Sequence, residues 1–62
     1  MPEAFGTLRR LLEARMGKAG KREYVQVLRL LETFGLEEVD AGVRDAVGLG
    51  AIGFDAVKHL VL

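Results

Sequence analysis

The stretch KREYVQVLRLLETF, residues 21–34, most constrains how this chain can fold. At about 100° per residue, five of its apolar positions form one helical stripe. They are Tyr24, Val27, Leu28, Leu31 and Phe34. Leu30 and Val25 widen the stripe to roughly 220° of the helix surface, so at least two other helices must cover it. The sequence therefore predicts an all-α fold, a small bundle of about four short helices around a central helix 2. Leu28 and Leu31 are expected to be almost fully buried.

Glycines and apolar spacing divide the rest of the chain into further elements. The predicted order is helix 1 at about 3–16, a hinge at 17–20, helix 2 at about 21–34, helix 3 at about 36–48 and helix 4 at about 54–62. With 62 residues, the chain is expected to form one domain over residues 1–62. The glycines of the hinge predict that helix 1 can take a variable angle to the other helices.

The small size of the chain predicts self-association. Cysteine is absent and there is one histidine, so neither a disulfide nor a metal cluster is expected to support the core. Domains of this size are marginally stable when they stand alone, and we therefore expect a homodimer with no cofactor. The residues expected at the self-association surface are Phe5, Leu8, Leu12, Leu60, Val61 and Leu62.

Charge is unevenly distributed along a chain whose formal net charge is zero. Residues 1–22 hold six cations against Glu3 and Glu13, whereas acidic residues prevail in 23–62. A basic segment of this kind can contact phosphates or an acidic protein face, or it can serve only as a solvated surface. The residues expected to contact DNA phosphates, weakly and without sequence preference, are Arg9, Arg10, Arg15, Lys18, Lys21 and Arg22.

Catalytic signatures are missing from the sequence, which predicts a protein that is not an enzyme. Serine and cysteine are absent, so neither nucleophile can pair with the single histidine, His59. The glycines of GLGAIG, residues 48–53, follow a predicted helix and lack the lysine of a phosphate-binding loop. No apolar run is long enough to span a bilayer and no signal peptide is recognisable, so we expect a cytoplasmic protein without membrane contact.

A helix-turn-helix interpretation applies to residues 31–47, which supply a helix, a glycine turn and a second helix. The first turns of a recognition helix face base edges and phosphates. Here those turns carry Glu37, Glu38 and Asp40, whose negative charges repel DNA. The basic segment is therefore the nucleic-acid surface that the sequence favours.

Three phrases of the sequence are more specific than its composition. They are LRRLLEARMGKAG at residues 8–20, REYVQVLRLLE at 22–32 and LGAIGFDAVKHLVL at 49–62. With these phrases the chain, from about Pro2 to Leu62, resembles the C-terminal region of IstA-type transposases, which bacterial insertion sequences encode. Members of that family have an N-terminal helix-turn-helix region and an RNase H-like core with three metal-binding carboxylates. The phrases match neither part, so the resemblance gives Asp40, Asp45 and Asp55 no metal role.

The resemblance implies a function in DNA transposition. It indicates a non-catalytic helical domain or fragment of a bacterial transposase that contributes to assembly of the transposition complex. Its expected partners are other transposase domains or IstB, the AAA+ helper ATPase of this family. The alternative is a free-standing helical dimerisation module, a transposase remnant without transposition activity.

Overall fold

Four α-helices account for most of the chain in a computed structural model, which describes residues 2–62. They are α1 (Glu3–Met16), α2 (Lys18–Arg29), α3 (Leu36–Leu49) and α4 (Phe54–Val61). A short 3₁₀ helix, Leu30–Glu32, continues α2. The predicted all-α class is confirmed, because the described residues are 84% helical and include no strand.

Helices that follow one another in sequence form two hairpins. In the first hairpin α1 packs along α2, and in the second α3 packs along α4. Contacts between α1 and α3 join the hairpins, and a smaller contact between α2 and α4 closes the bundle on its other side. This order of contacts places α2 and α3 diagonally across the bundle from each other.

A buried glycine brings the helices close together in each hairpin. A Cβ on Gly20 of α2 would overlap the backbone carbonyl of Leu12 in α1, and would lie 2.9 Å from the backbone nitrogen of Glu13. A Cβ on Gly42 of α3 would lie 2.5 Å from Val61 Cγ2 in α4 and 3.2 Å from the backbone nitrogen of that residue. Only glycine lets the backbones approach this closely.

The core is contributed mainly by α1 and α3. Its buried apolar residues are Phe5, Leu8 and Leu12 from α1, Val39, Val43 and Ala46 from α3, and Val27, Leu30, Ile52 and Val57 from the other segments. In both helices the buried positions recur every three or four residues, as expected when one face of a helix is covered. The two hairpins therefore meet through these faces.

Helix α2 lies at a corner of the bundle and not at its centre. Val27 is its one fully buried large side chain, and Val25 is 52% exposed. Leu28 and Leu31 are half-buried, so the expectation that both would be almost fully buried is wrong. The physical reason is that, within residues 2–62, α2 packs mainly against α1 and α4, so part of the wide apolar stripe faces solvent.

The break between the first two helices is shorter than predicted. The expected hinge at 17–20 is a single residue, Gly17, whose φ of 60° and ψ of −126° suit glycine. Helix α2 begins at Lys18, and its last predicted turns are 3₁₀ helix and turn. Because Gly20 holds α2 against α1, the first hairpin is a packed unit, and the predicted freedom of helix 1 has no support in this arrangement.

Candidate charged interaction surfaces

The six basic residues expected to contact phosphates are all exposed, but they have different surroundings. Three of them, Arg9, Arg10 and Arg15, lie on α1, and the other three lie at the beginning of α2. Two of the three α1 arginines are bound to other groups of the chain. The structure therefore does not form one surface from all six cations.

Arg9 is paired with a carboxylate on its own helix. Its Nε donates a hydrogen bond to Glu13 Oε1 at 2.8 Å, one helical turn along α1. This hydrogen bond is the main reason that the pKa of Glu13 lies below its ordinary value and that the pKa of Arg9 is raised. The positive charge of Arg9 is thus largely matched within the chain, which makes it a poor candidate for a phosphate contact.

Arg15 stabilises the end of another helix. Its Nη1 donates a hydrogen bond to the backbone oxygen of Gly50 at 3.2 Å. Gly50 ends α3 in the left-handed conformation, with φ of 74°, and the carbonyls at a helix C-terminus carry partial negative charge. Arg15 therefore has a structural role that its sequence position did not predict.

Glu23 performs the matching role at the beginning of α4. Its Oε1 accepts a hydrogen bond from the backbone nitrogen of Phe54 at 3.1 Å. Phe54 is the first residue of α4, and its N–H is one of those that a helix leaves without an internal partner. The connection between α3 and α4 is thus held at one end by Arg15 of α1 and at the other by Glu23 of α2.

The outer face of α2 is a row of cations without a carboxylate. We call it the α2 basic face, and it consists of Lys18, Lys21, Arg22, Val25, Gln26 and Arg29, all exposed. These positions recur every three or four residues, which places them on one side of a helix. Glu23 is the one carboxylate of α2, and it is directed at α4. The face runs for about 16 Å, at about 1.5 Å per residue.

Two polar members of the α2 basic face, Gln26 and Arg29, are not among the residues predicted to contact DNA. Arg29 Nε lies 3.6 Å from Glu32 Oε2, and both side chains are about two thirds exposed, so this ion pair is weak. Both residues follow Lys18 at helical spacing. The whole face could therefore have been predicted from the sequence if the helix had been taken to begin at Lys18 instead of residue 21.

Helix α3 presents the opposite charge. Its exposed acids are Glu37, Glu38 and Asp45, which we call the α3 acidic face. Arg44 is the single cation of this helix, and its Nε lies 3.2 Å from Asp40 Oδ2. Because α2 and α3 lie diagonally across the bundle, the basic and acidic faces point to opposite sides of the molecule.

Three of the predicted self-association residues lie inside a single chain. Phe5, Leu8 and Leu12 are fully buried in the core, so their assignment to a surface that meets a second copy has to be corrected. A second copy cannot contact them unless α1 leaves its own bundle. Leu60 and Leu62 remain available, at 37% and 75% exposed, whereas Val61 is half-buried against Gly42.

Comparisons with protein-family models, with curated proteins and with solved structures find no match to this chain. Among residues 2–62, no group of three or more histidine or carboxylate side chains is placed to hold a metal ion. None of the helices in the same range is both long and apolar enough to cross a membrane. The features of the chain that bear on function are the two charged faces and the exposed end of α4.

Proposed function

We propose that this chain is a non-catalytic helical domain like the C-terminal region of IstA-type insertion-sequence transposases, and that it contributes to assembly of the DNA transposition complex. Two of the phrases that carry the resemblance, residues 22–32 and 49–62, are in contact in the structure. Glu23 in the first accepts the hydrogen bond from Phe54 in the second. The resemblance thus falls on segments that fold together, which supports a shared domain more than a chance likeness of two helices.

The separation of charge onto opposite sides of the bundle carries the proposed assembly role. Helix α2 has four cations and one carboxylate, whereas α3 has four carboxylates and one cation. A domain with two faces of opposite charge can hold two different partners at the same time, and charge complementarity favours the correct partners over others. Under this proposal the α3 acidic face contacts a basic surface of another transposase domain or of the AAA+ helper ATPase.

A transposition assay tests the assembly role. The variant E37Q/D45N in a full-length transposase that contains this domain removes two charges from the α3 acidic face. We expect the transposition frequency to fall at least tenfold, while cleavage of short DNA ends by the same full-length variant is unchanged. The matched control is E3Q/E32Q, which removes two exposed carboxylates outside that face.

Equal transposition by the α3 variant, the control and the unmodified protein would contradict the proposal. Genomic context gives an independent and quicker test. A catalytic core encoded upstream and an ATPase gene downstream support a transposase domain, whereas an isolated short frame supports the alternative described next.

The second candidate is a free-standing helical dimer, and one observation favours it. Leu62 is 75% exposed beside Leu60 at the end of α4, and burying such side chains against a second copy would contribute roughly 1.5 to 3 kcal/mol each. A dimer linked to folding has a melting temperature that rises with protein concentration. We expect L62S to remove this dependence and L49S to retain it, because Leu49 is equally exposed, at 73%, but lies at the end of α3.

Sedimentation at micromolar concentration decides between a dimer and a monomer. A single monomeric species whose melting temperature does not change with concentration would rule out the dimer.

A further inference from the structure

The α2 basic face has the chemistry of a binding site for a polyanion. It carries Lys18, Lys21, Arg22 and Arg29 and no carboxylate. Because the chain has no net charge, such a face requires a fold in which the carboxylates lie on other surfaces or are paired with other groups. Glu23 is directed at α4, and Glu13 is paired with Arg9 on the neighbouring helix. Glu32, beyond the end of α2, forms only a weak, exposed ion pair with Arg29 at 3.6 Å. The cations of α2 are thus left to act together.

We propose that the α2 basic face binds the phosphate backbone of duplex DNA without reading the base sequence. This inference deepens the proposed function, on which it rests for the choice of DNA as the polyanion. Duplex DNA carries one negative charge per about 1.7 Å of helix axis, so a row of cations about 16 Å long meets several phosphates at any position along it. Lysine and arginine contacts to phosphates fix the position of a protein but carry no sequence information.

The composition of the face argues against single-stranded nucleic acids, which are usually held by aromatic side chains that stack on the bases. The face has none, since Tyr24 is half-buried and packs against the core. Contacts to the phosphates of duplex DNA need no aromatic side chain. An acidic protein surface is the other anionic partner that such a face could bind, and polyglutamate serves as its probe.

The affinity of the chain for a fluorescent duplex of about 20 base pairs, measured by anisotropy at several salt concentrations, tests the inference. For four phosphate contacts we expect log K to fall with log salt at a slope of about −3.6, which is a loss of roughly 150-fold in affinity between about 50 and 200 mM salt. The dissociation constant should be about 10⁻⁶ M at about 50 mM salt, which the same slope weakens to about 5 × 10⁻⁵ M at physiological salt, within the range of sequence-independent binding.

Two single variants locate the site. K21E reverses a charge within the α2 basic face, and K58E makes the same change on α4, so the two proteins have equal net charge. We expect K21E to lose more than about tenfold in affinity at about 50 mM salt and K58E to stay within about threefold. A third protein, the double variant K18Q/R22Q, should reduce the slope to about −1.8. Both Lys18 and Arg22 are exposed, so melting temperatures should confirm that these proteins stay folded.

Several outcomes would overturn the inference. One is the absence of DNA binding at about 50 mM salt, and another is an equal loss of affinity in K21E and K58E, which would mean that only net charge matters. Tighter binding to polyglutamate would assign the face to an acidic protein, and tighter binding to single strands would exclude the duplex. None of these results would affect the assembly role, because that role is measured by transposition with the α3 variant.

Discussion

Gly20 is the residue at which the helices of the first hairpin come closest. Its missing side chain leaves room for the backbone carbonyl of Leu12. G20A would force α1 and α2 apart, because a backbone carbonyl cannot rotate away as a side chain can. We expect the variant to lose about 3 kcal/mol of unfolding free energy, the range of overpacked cores, as measured by denaturant unfolding.

The matched control for this substitution is G6A. Gly6 is an exposed helical residue of α1, and a Cβ added there meets nothing within 4 Å. Alanine should therefore stabilise the chain by about 0.5 to 1 kcal/mol through its higher helix propensity. If G20A and G6A shift the unfolding midpoint in the same direction, the close contact between α1 and α2 does not exist.

Leu8 and Leu28 distinguish the observed core from one centred on helix 2. Leu8 is fully buried, whereas Leu28 is half-buried. L8A should therefore cost about 2 to 5 kcal/mol of unfolding free energy, and L28A only about 1 kcal/mol. Thermal unfolding of both variants measures the difference, and a larger loss for L28A would favour a central helix 2.

At the residue scale, the positions of the apolar stripes could be predicted from the sequence, but the buried fraction of each side chain could not. Leu8 and Leu12 follow helical spacing, yet the same spacing holds for Leu28 and Leu31, which are less buried. Burial depends on which helices are neighbours, and periodicity within one helix does not contain that information. Gly20 was misassigned for the same reason, since a glycine within a helix contact has no local signature that separates it from a hinge.

The beginning of α4 is capped by a side chain from another element, Glu23 of α2. E23A would leave the Phe54 N–H without this partner, and we expect a loss of about 1 kcal/mol in unfolding free energy. Hydrogen exchange should show the largest loss of protection in α4. The control is E32A, which removes an exposed carboxylate of the 3₁₀ helix. Equal effects of the two variants would show that the cap is not stabilising.

The ion pair within α1 should make its stability depend on pH. The hydrogen bond from Arg9 places the pKa of Glu13 below its ordinary value of about 4.3. A carboxyl with a lowered pKa in the folded state stabilises the fold above its ordinary pKa, and this contribution is lost as pH falls through the lowered value. The melting temperature of R9Q should therefore be lower than that of the unmodified chain at pH 7, and the difference should disappear in acid.

The control for the pH experiment is R10Q, since no carboxylate of residues 2–62 is paired with Arg10. Its difference from the unmodified chain should stay constant over the same acid range. A constant difference for R9Q as well would mean that the pair contributes nothing.

At the element scale, the bounds of α1, α3 and α4 agree with prediction to within about one residue. Apolar spacing marks each of these helices, and a glycine lies at one end of each: Gly17 after α1, Gly50 after α3 and Gly53 before α4. Helix α2 is the exception at both ends. The sequence predicts that this helix begins after Gly20 and ends at Phe34. In the structure it begins at Lys18, and the residues after Arg29 form a 3₁₀ helix and a turn. The caps from Arg15 and Glu23 could not be predicted, because they join residues 35 and 31 positions apart.

At the scale of the whole molecule, the separation of charge could be predicted from the sequence, but its arrangement on the surface could not. The basic segment of residues 1–22 becomes a smaller face on α2, because Arg9 and Arg15 have partners within the chain. Arg29, from the acidic part of the sequence, joins that face. The pairing of Arg9 with Glu13 is local to α1 and its spacing is visible in the sequence, whereas the contact of Arg15 with Gly50 is tertiary and the sequence does not specify it.

The arrangement of the helices as two hairpins also determines how fast the chain should fold. Most helix packing joins elements that are adjacent in sequence, α1 with α2 and α3 with α4. Most contacts therefore form without the closure of a long loop of unfolded chain. Rates of two-state folding rise as contacts become more local, and helical bundles of this kind fold in microseconds to milliseconds. We therefore expect refolding within about one millisecond in a temperature-jump experiment, which leaves a nascent chain little time with its apolar helix faces exposed.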